Sequence, residues 1–260
     1  MDTVLECKEV SKFFGEFAAL KNVSFSVPEG TLFGIAGPNG AGKTTLFNVI
    51  TCNPFSPSSG EVIFNGEKIH KLKPYEIVHK GIARTFQIPA IYQSLNYIKS
   101  VMVGSIYGNI TNLKQNIFGY HKHLYEKNAL EALELVGLTS KKNEVATHAS
   151  LYDLKLLMIA SALATKPKVI LLDEPVSGLT EHETEQIIDI IYKVHRDTGA
   201  TILLIEHIMK FLMNISDEVM ILNYGEILYR GKPKEVARND EVIKCYLGEE
   251  YQKILNTIEG

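Results

Sequence analysis

The chain has 260 residues, of which 45% are hydrophobic, and a formal net charge of −3 at pH 7. This length and apolar content suit one large α/β domain, or one domain with an inserted lobe. The small negative charge gives no reason to expect nucleic acid or an anionic membrane surface as a partner. Cys7, Cys52 and Cys245 are far apart in the sequence, which indicates reduced thiols in a cytoplasmic protein rather than a metal site.

No stretch of the sequence approaches the roughly 18 to 20 apolar residues that a membrane-spanning helix needs. The first six residues have neither the basic start nor the long apolar run of a signal peptide. We therefore expect a soluble chain, for which any role at a membrane depends on a partner.

The first predicted elements are strands. Residues 4–10 and 23–27 alternate apolar and polar side chains, as half-buried strands do. Residues 61–64 form a further strand, and Asn65-Gly66 after it is typical of a hairpin turn. These segments predict an antiparallel β layer that flanks the rest of the domain.

A complete phosphate-binding loop follows the apolar residues 32–36 and leads into a predicted helix over residues 46–50. Strand, glycine-rich loop and helix in this order are the context that the motif requires. The glycines let backbone N–H groups point at phosphate oxygens, and the helix adds the positive end of its dipole. Lys43 can reach the β- and γ-phosphates, and the Thr44 hydroxyl can ligate Mg²⁺. The predicted nucleotide-binding residues of the loop are Gly37, Pro38, Asn39, Gly40, Ala41, Gly42, Lys43, Thr44 and Thr45.

Helical patterning dominates residues 100–136 and ends at Gly137, and a second helix covers residues 151–165. The apolar runs 169–172 and 200–205 are typical of buried parallel strands, with a helix over 183–198 between them and a closing hairpin over 219–229. Roughly 125 residues separate the phosphate loop from the first of these strands, far more than one crossover needs. We therefore expect a single domain over residues 1–250 with an inserted helical lobe at about 88–165, and a tail over 251–260.

Polar residues at strand ends add chemistry to the loop. Asp173 closes the apolar strand, where it is expected beside the phosphate loop to hold the Mg²⁺ shell, and Glu174 can polarise a water for attack on the γ-phosphate. Gln87, at the start of the lobe, can contact Mg²⁺ or the attacking water. His207 follows another strand and can donate a hydrogen bond to the γ-phosphate. Taken alone, Gln87 would be an ordinary surface residue and His207 a structural one.

Together these motifs resemble the nucleotide-binding subunit of an ATP-binding cassette (ABC) transporter over nearly the whole chain. The resemblance implies an α/β P-loop NTPase core with an antiparallel β layer and an inserted helical lobe, and an ATPase that uses ATP and Mg²⁺. It implies catalytic roles for Glu174, His207 and Gln87, and metal contacts from Thr44, Gln87 and Asp173. It also implies that Phe14 stacks on adenine, although a core aromatic is the alternative interpretation.

Within the family, the chain is most similar to the branched-chain amino acid uptake group. Residues 81–87 resemble its Gln-loop approach, 205–210 its His-loop and 246–250 its C-terminal tag, and the urea, amide and lipopolysaccharide-export ATPases share parts of these strings. The resemblance implies a second ATPase subunit, integral membrane permeases and an extracytoplasmic solute-binding protein as partners, at the cytoplasmic face of the membrane. The apolar residues 88–92 either dock a permease helix or belong to the core.

The chain departs from the family at the signature loop, Leu-Ser-Gly-Gly-Gln or, in this group, Leu-Ser-Tyr-Gly-Gln. The matching segment contains Ser150, Leu151, Tyr152 and Asp153. Tyr152 replaces a glycine that permits close backbone approach to phosphate. Asp153 replaces a neutral residue and is expected to add a negative charge near an anion. This degenerate signature is either tolerated drift or the sign of an asymmetric pair, in which a different chain supplies the intact signature.

Two other classes of protein remain as alternatives. A soluble ABC protein of translation or DNA repair would usually carry two cassettes or a distinctive insertion, neither of which the sequence has. A poorly hydrolysing regulatory nucleotide-binding subunit is favoured by the altered signature, whereas the presence of Glu174 and His207 opposes it.

Overall fold

The computed structural model describes residues 2–109 and 122–246, which fall into two compact units. The terminal unit runs up to Pro74 and resumes at Thr201, and the central unit runs from Tyr75 to Ala200. The predicted lobe at 88–165 lies within the central unit, and its boundaries stay a prediction. The predicted tail and residues 247–250 of the predicted C-terminal tag lie outside the described residues.

One sheet of the terminal unit confirms the predicted antiparallel layer. Its strands, in the order β2-β1-β4-β5, are β1 (Thr3–Phe14), β2 (Phe17–Pro28), β4 (Ser59–Phe64) and β5 (Glu67–Lys68). The first two strands are longer than the sequence pattern predicts. In β1 the alternation of apolar and polar side chains breaks near Glu9, where φ is +49° and the register shifts against both neighbouring strands. The strand itself continues past this irregularity to Phe14, which the alternation does not predict.

The terminal unit also contains four strands of a mixed sheet, in the order β10-β9-β3-β8. These are β3 (Leu32–Ala36), β8 (Thr201–Ile205), β9 (Glu218–Asn223) and β10 (Glu226–Gly231). Strand β3 is parallel to β8 and β9, and β9 and β10 form the predicted antiparallel hairpin. Every residue of β3 and β8 is buried, as their unbroken apolar runs predict. The helices of this unit are α1 (Lys43–Ile50), α7 (Met209–Ile215), α8 (Pro233–Val236) and α9 (Asp240–Cys245).

The central unit pairs two short parallel strands, β6 (Ile82–Arg84) and β7 (Val169–Asp173). Its helices are α3 (Tyr97–Asn109), α4 (Lys122–Leu135), α5 (Leu151–Leu163) and α6 (Glu181–Thr198), and α2 (Pro74–Lys80) begins at the last residue of the terminal unit. The helical patterning over 100–136 is confirmed for α3 and α4, with 110–121 outside the described residues. Helix α6 begins two residues before the predicted start, because Thr180 and Glu183 form a capping box. In the two described ranges, no helix is both long and apolar enough to cross a bilayer.

Helix α3 packs at unusually close range, along two of its glycines, against the last turn of α5 and against Thr165 just after it. A Cβ at Gly104 would lie 2.2 Å from the carbonyl oxygen of Ser161, and one at Gly108 would lie 2.5 Å from the Cβ of Thr165. Only a residue without a side chain fits at either position. This contact fixes the position of α5, the helix that carries the signature segment at its N-terminus.

Candidate functional site

The phosphate loop has a backbone that only glycine can adopt at two points. Gly37 has φ +151°, and a Cβ there would lie 2.2 Å from the carbonyl oxygen of Leu222 in β9. Gly42 has φ +101°, and a Cβ there would lie 2.6 Å from the carbonyl oxygen of Ala19 in β2. The loop is therefore held against two neighbouring strands, which fixes its curvature.

Lys43 begins helix α1, and its side chain turns back into the loop. The ammonium donates hydrogen bonds to the carbonyl oxygens of Gly37, at 2.6 Å, and Pro38, at 3.0 Å, and the residue is only 7% exposed. Thr44 is exposed in the first turn of α1, and Asn39 and Gly40 are exposed at the top of the loop. A cation held under an exposed loop at a helix N-terminus is suited to bind an anion. The individual contacts of these residues with a nucleotide stay predictions.

Asp173, at the end of β7, forms a buried ion pair that the sequence analysis did not identify. Arg84 Nη2 donates to Asp173 Oδ2 at 2.8 Å, with the two side chains 5% and 2% exposed. Burial raises the pKa of Asp173 above its ordinary value, and the guanidinium of Arg84 opposes that shift. Asp173 Oδ1 is buried and has no hydrogen-bond partner among the described residues. The carboxylate therefore has one oxygen fixed by Arg84 and one oxygen left for another ligand.

Gln87 and Glu174 are in direct contact. Gln87 Nε2 donates to Glu174 Oε2 at 2.6 Å, so the two residues predicted to act on the γ-phosphate and its water are brought together in the central unit. Glu174 has φ +48°, a left-handed backbone that is uncommon for residues other than glycine. Lys155 of α5, which the sequence analysis also missed, donates to the carbonyl oxygens of both residues, at 3.0 Å for Gln87 and 2.8 Å for Glu174.

His207 follows β8 in the terminal unit, and its side chain is 52% exposed. Its backbone N–H donates to Glu206 Oε2 at 3.3 Å, and its Nδ1 lies 3.6 Å from the same carboxylate oxygen. Glu206 is fully buried, so it can orient the histidine from below while the ring faces solvent. The role of His207 toward a phosphate stays a prediction.

Phe14 is a surface aromatic at the end of β1, with 46% of the residue exposed. Its ring meets the Phe55 ring edge-on, with centroids 5.0 Å apart, and Lys12 Nζ lies 5.3 Å from its centre. The interpretation of Phe14 as a core aromatic therefore does not fit its exposure. Its stacking on adenine stays a prediction.

The signature segment corrects one expectation of the sequence analysis. Ser150 caps α5, because its Oγ accepts a hydrogen bond from the backbone N–H of Asp153 at 3.1 Å. The Asp153 carboxylate is buried and accepts hydrogen bonds from the Tyr97 hydroxyl at 3.0 Å and from Lys141 Nζ at 2.7 Å. The prediction that Asp153 places a negative charge beside a bound anion was therefore wrong, because its carboxylate is buried inside the central unit and paired with Lys141.

Leu151 and Tyr152, the two residues before Asp153, are more exposed than Asp153. Leu151 is 40% exposed, and Tyr152 is half-buried at the start of α5. A Cβ at Gly178 would lie 3.1 Å from Leu151 Cδ2, so Leu151 covers the loop before α6. With Asp153 paired inside the unit, Tyr152, which stands in place of the signature glycine, is the departure left at the outer face of this segment.

Comparisons with known proteins agree with this arrangement. Residues 20–177 match the ABC transporter family. The chain is 34% identical over 253 residues to the high-affinity branched-chain amino acid transport ATP-binding protein BraF of Pseudomonas aeruginosa. The aligned region covers 95% of this chain and 98% of BraF. Its fold is similar to the crystal structure of an ATP-binding cassette of an ABC transporter in the ADP conformation, with a TM-score of 0.84 and 31% identity over 96% of this chain and 100% of that one.

A dimeric ATP-binding cassette in a post-hydrolysis state, bound to ADP and Pi, is also similar. It has a TM-score of 0.76 and 27% identity over 88% of this chain and 98% of that one. The family match covers more than half of the chain, and the likeness to BraF and to the cassette in the ADP conformation extends over almost all of it. The chain therefore belongs to the ABC transporter family, as one of its ATPases.

Proposed function

We propose that this chain is the ATP-hydrolysing subunit of an importer for branched-chain amino acids. The observation that carries the proposal is the likeness to BraF, a branched-chain amino acid transport ATP-binding protein, along almost the full length of both chains. The strings 81–87 and 205–210 support the same assignment.

The site residues divide the work of hydrolysis. Residues 37–45 bind the phosphates, with Lys43 balancing their charge and Thr44 and Asp173 holding Mg²⁺. Asp173 Oδ1 fits this role, because it is a buried carboxylate oxygen with no hydrogen-bond partner in the described ranges, while Arg84 holds the other oxygen. Held by these residues, Mg²⁺ would supply neutralisation of the charge that develops on the phosphate oxygens.

Glu174 accepts the proton of the attacking water, whose oxygen bonds to the γ-phosphorus as the bond to the ADP oxygen breaks. In the structure its Oε2 is held by the Gln87 amide at 2.6 Å. An ionised carboxylate has about four lone-pair sites, so Glu174 can accept the proton of the water while the Gln87 amide stays bound. Gln87 thus acts on hydrolysis by orienting Glu174, and His207 stabilises the γ-phosphate.

A second ATPase subunit of different sequence completes the active site. In a nucleotide-sandwiched dimer, each signature faces the phosphates bound by the other subunit, and the side chain of Tyr152, in place of glycine, obstructs this approach. We infer that this chain's phosphate loop works with an intact signature from the partner. The site formed with this chain's own signature is weak or inactive.

A cavity of about 240 Å³ in the central unit is the proposed docking site for a helix of a permease. It is lined by residues 90–92 and by side chains of α3 and α5. Ser100 Oγ is buried at this cavity and has no hydrogen-bond partner in the described ranges, so it offers a polar contact to an incoming helix. Docking here holds the chain at the cytoplasmic face of the membrane.

The test is reconstitution of the chain in proteoliposomes with the proposed permeases, partner ATPase and solute-binding protein. Leucine should stimulate ATP hydrolysis and be taken up, and Glu174→Gln should lower both by about 10²- to 10⁴-fold, the usual contribution of a general base. Glu185→Gln, an exposed carboxylate on α6, is the matched control and should leave both unchanged.

Each contrary result is informative. Stimulation by urea or an amide, with none by leucine, would reassign the substrate to a related system. Unchanged turnover in Glu174→Gln would place hydrolysis in the partner subunit and make this chain the regulatory one.

A further inference from the structure

Lys155 is the buried lysine of helix α5, and its burial requires a reason. The residue is only 2% exposed and lies among buried apolar residues of the same helix, including Leu156 and Leu157. Removing an ammonium from water carries a large free-energy cost unless it is well hydrogen-bonded. A methionine or leucine would fill the same space without that cost, so the charge of Lys155 must be judged by what it binds.

Its ammonium binds the backbone of both residues that the proposed function places at the reacting water. It donates to the carbonyl oxygens of Gln87, at 3.0 Å, and Glu174, at 2.8 Å, and the side chains of these two residues are bonded to each other at 2.6 Å. These two residues are 87 positions apart in the chain. Lys155 therefore joins two distant segments at the point where their side chains meet.

The backbone of Glu174 gives this contact a specific purpose. Its φ of +48° is a strained conformation for a residue with a side chain, and such strain persists only where neighbouring groups hold it. A charge-assisted hydrogen bond to the carbonyl of the same residue opposes relaxation of that backbone. The direction of the Glu174 carboxylate depends on that backbone conformation.

Lys155 also links this pair to the signature segment. Ser150 caps α5 five positions earlier, a distance of about 7.5 Å along the helix axis at 1.5 Å per residue. A shift of the helix start, which carries Leu151 and Tyr152, would also move the backbone of Lys155 in the same helix. The hydrogen bonds of the ammonium would then pass that shift to the carbonyls of Gln87 and Glu174.

We propose that Lys155 is a positioning residue for ATP hydrolysis. It keeps Gln87 and Glu174 in contact with each other and couples them to the start of α5. The inference rests on the proposed function, since it assigns Lys155 a role through Glu174. The ammonium of Lys155 is engaged with the backbone carbonyls of Gln87 and Glu174, and the residue is only 2% exposed. Its loss should therefore affect turnover and leave ATP binding nearly unchanged.

The test uses the full chain assembled with its partner ATPase and permeases, and compares Lys155→Met with the wild type. Turnover is expressed per nucleotide-binding chain, counted by titration with ATP, so that misfolded protein does not enter the rate. We expect kcat to fall at least about tenfold while the KM for ATP stays within about twofold, the pattern of an interaction that matters in the transition state. Lys166→Met, an exposed lysine of the same unit that pairs with Glu131, is the matched control and should retain wild-type values.

A double-mutant cycle with Glu174→Gln separates positioning from general stability. Because Lys155 acts through Glu174, Lys155→Met should have little further effect on the residual rate of Glu174→Gln. A purely structural role would lower the rate by the same factor in both backgrounds and would overturn the inference. If Lys155→Met does not fold, Lys155→Gln keeps one hydrogen-bond donor and should give a kcat below the wild type at unchanged KM.

The two levels of the proposal fail differently. A wild-type complex that binds ATP without hydrolysing it would refute the proposed function, and the role of Lys155 would fall with it. A wild-type complex that hydrolyses ATP beside a Lys155→Met complex within twofold of its kcat would refute the role of Lys155 alone.

Discussion

Replacement of Lys141 by methionine tests whether the ion pair between Lys141 and Asp153 of α5 contributes to the free energy of unfolding. Lys141 Nζ lies 2.7 Å from Asp153 Oδ2, and the Asp153 side chain is only 6% exposed. In Lys141→Met the carboxylate stays buried and keeps the hydrogen bond from the Tyr97 hydroxyl. We expect the free energy of unfolding to fall because an uncompensated charge remains in the interior.

The magnitude follows from the exposure of the two groups. Loss of one partner from a fully buried ion pair costs about 3–5 kcal/mol. Lys141 is 43% exposed, so water already screens its attraction for Asp153, and the Tyr97 hydroxyl bond persists in the variant. We therefore expect a loss of about 2 kcal/mol, which lowers Tm by ~4–8 °C for a chain of this size.

The assay is urea and thermal unfolding followed by circular dichroism, with Lys127→Met as the matched control. Lys127 pairs with Glu131 at 3.9 Å on the surface of α4, with its side chain 72% exposed, and its replacement should cost no more than about 0.5 kcal/mol. Asp153→Asn combined with Lys141→Met should recover part of the loss, because the buried charge is gone. Equal stability of Lys141→Met and Lys127→Met would refute the argument.

Three further predictions concern the pH dependence, the second buried ion pair and the helix contact. Hydrogen bonding to Asp153 raises the pKa of Lys141 above its ordinary value of 10.5. The difference in free energy of unfolding between the wild type and Lys141→Met should therefore persist up to pH 10.5 and shrink as the pH rises through the raised pKa. Urea titrations across this pH range will measure the difference. Arg84→Met should lower the free energy of unfolding by about 3–5 kcal/mol, and adding Asp173→Asn should restore much of it in the same assay. Gly104→Ala should cost ~1–3 kcal/mol or more by overpacking against a backbone carbonyl of α5, measured by its Tm; a variant as stable as the wild type would contradict the close helix contact.

The sequence predicted the elements whose patterns are local. The unbroken apolar run before Asp173 indicates a buried strand, and the strand observed at Val169–Asp173 ends in that acid. The glycines of the phosphate loop likewise predict a curved backbone between a strand and a helix, which the structure confirms at Gly37 and Gly42. In both cases the physical cause lies within a few residues of its effect.

The sequence did not predict contacts that depend on three-dimensional proximity. Arg84 ends a strand of three residues, too short for alternation to be read, and its pairing with Asp173 follows only from the register that sets Arg84 opposite Leu171. Lys155 and Asp153 are charged residues on a helix, where an exposed position is the ordinary expectation. Their burial depends on partners 12 to 68 positions away, for which the local sequence carries no signal.

The hydrogen bonds of Lys43 within its own loop have a consequence for the thermodynamics of binding. A free lysine side chain loses about 1.5–2 kcal/mol of rotamer entropy when it is fixed. Here that loss is incurred on folding, since Gly37 and Pro38 already hold the ammonium. Capture of a phosphate then exchanges carbonyl acceptors for phosphate oxygens around a side chain already in place, and the contribution of Lys43 to the affinity is governed by the difference in strength between those two sets of acceptors.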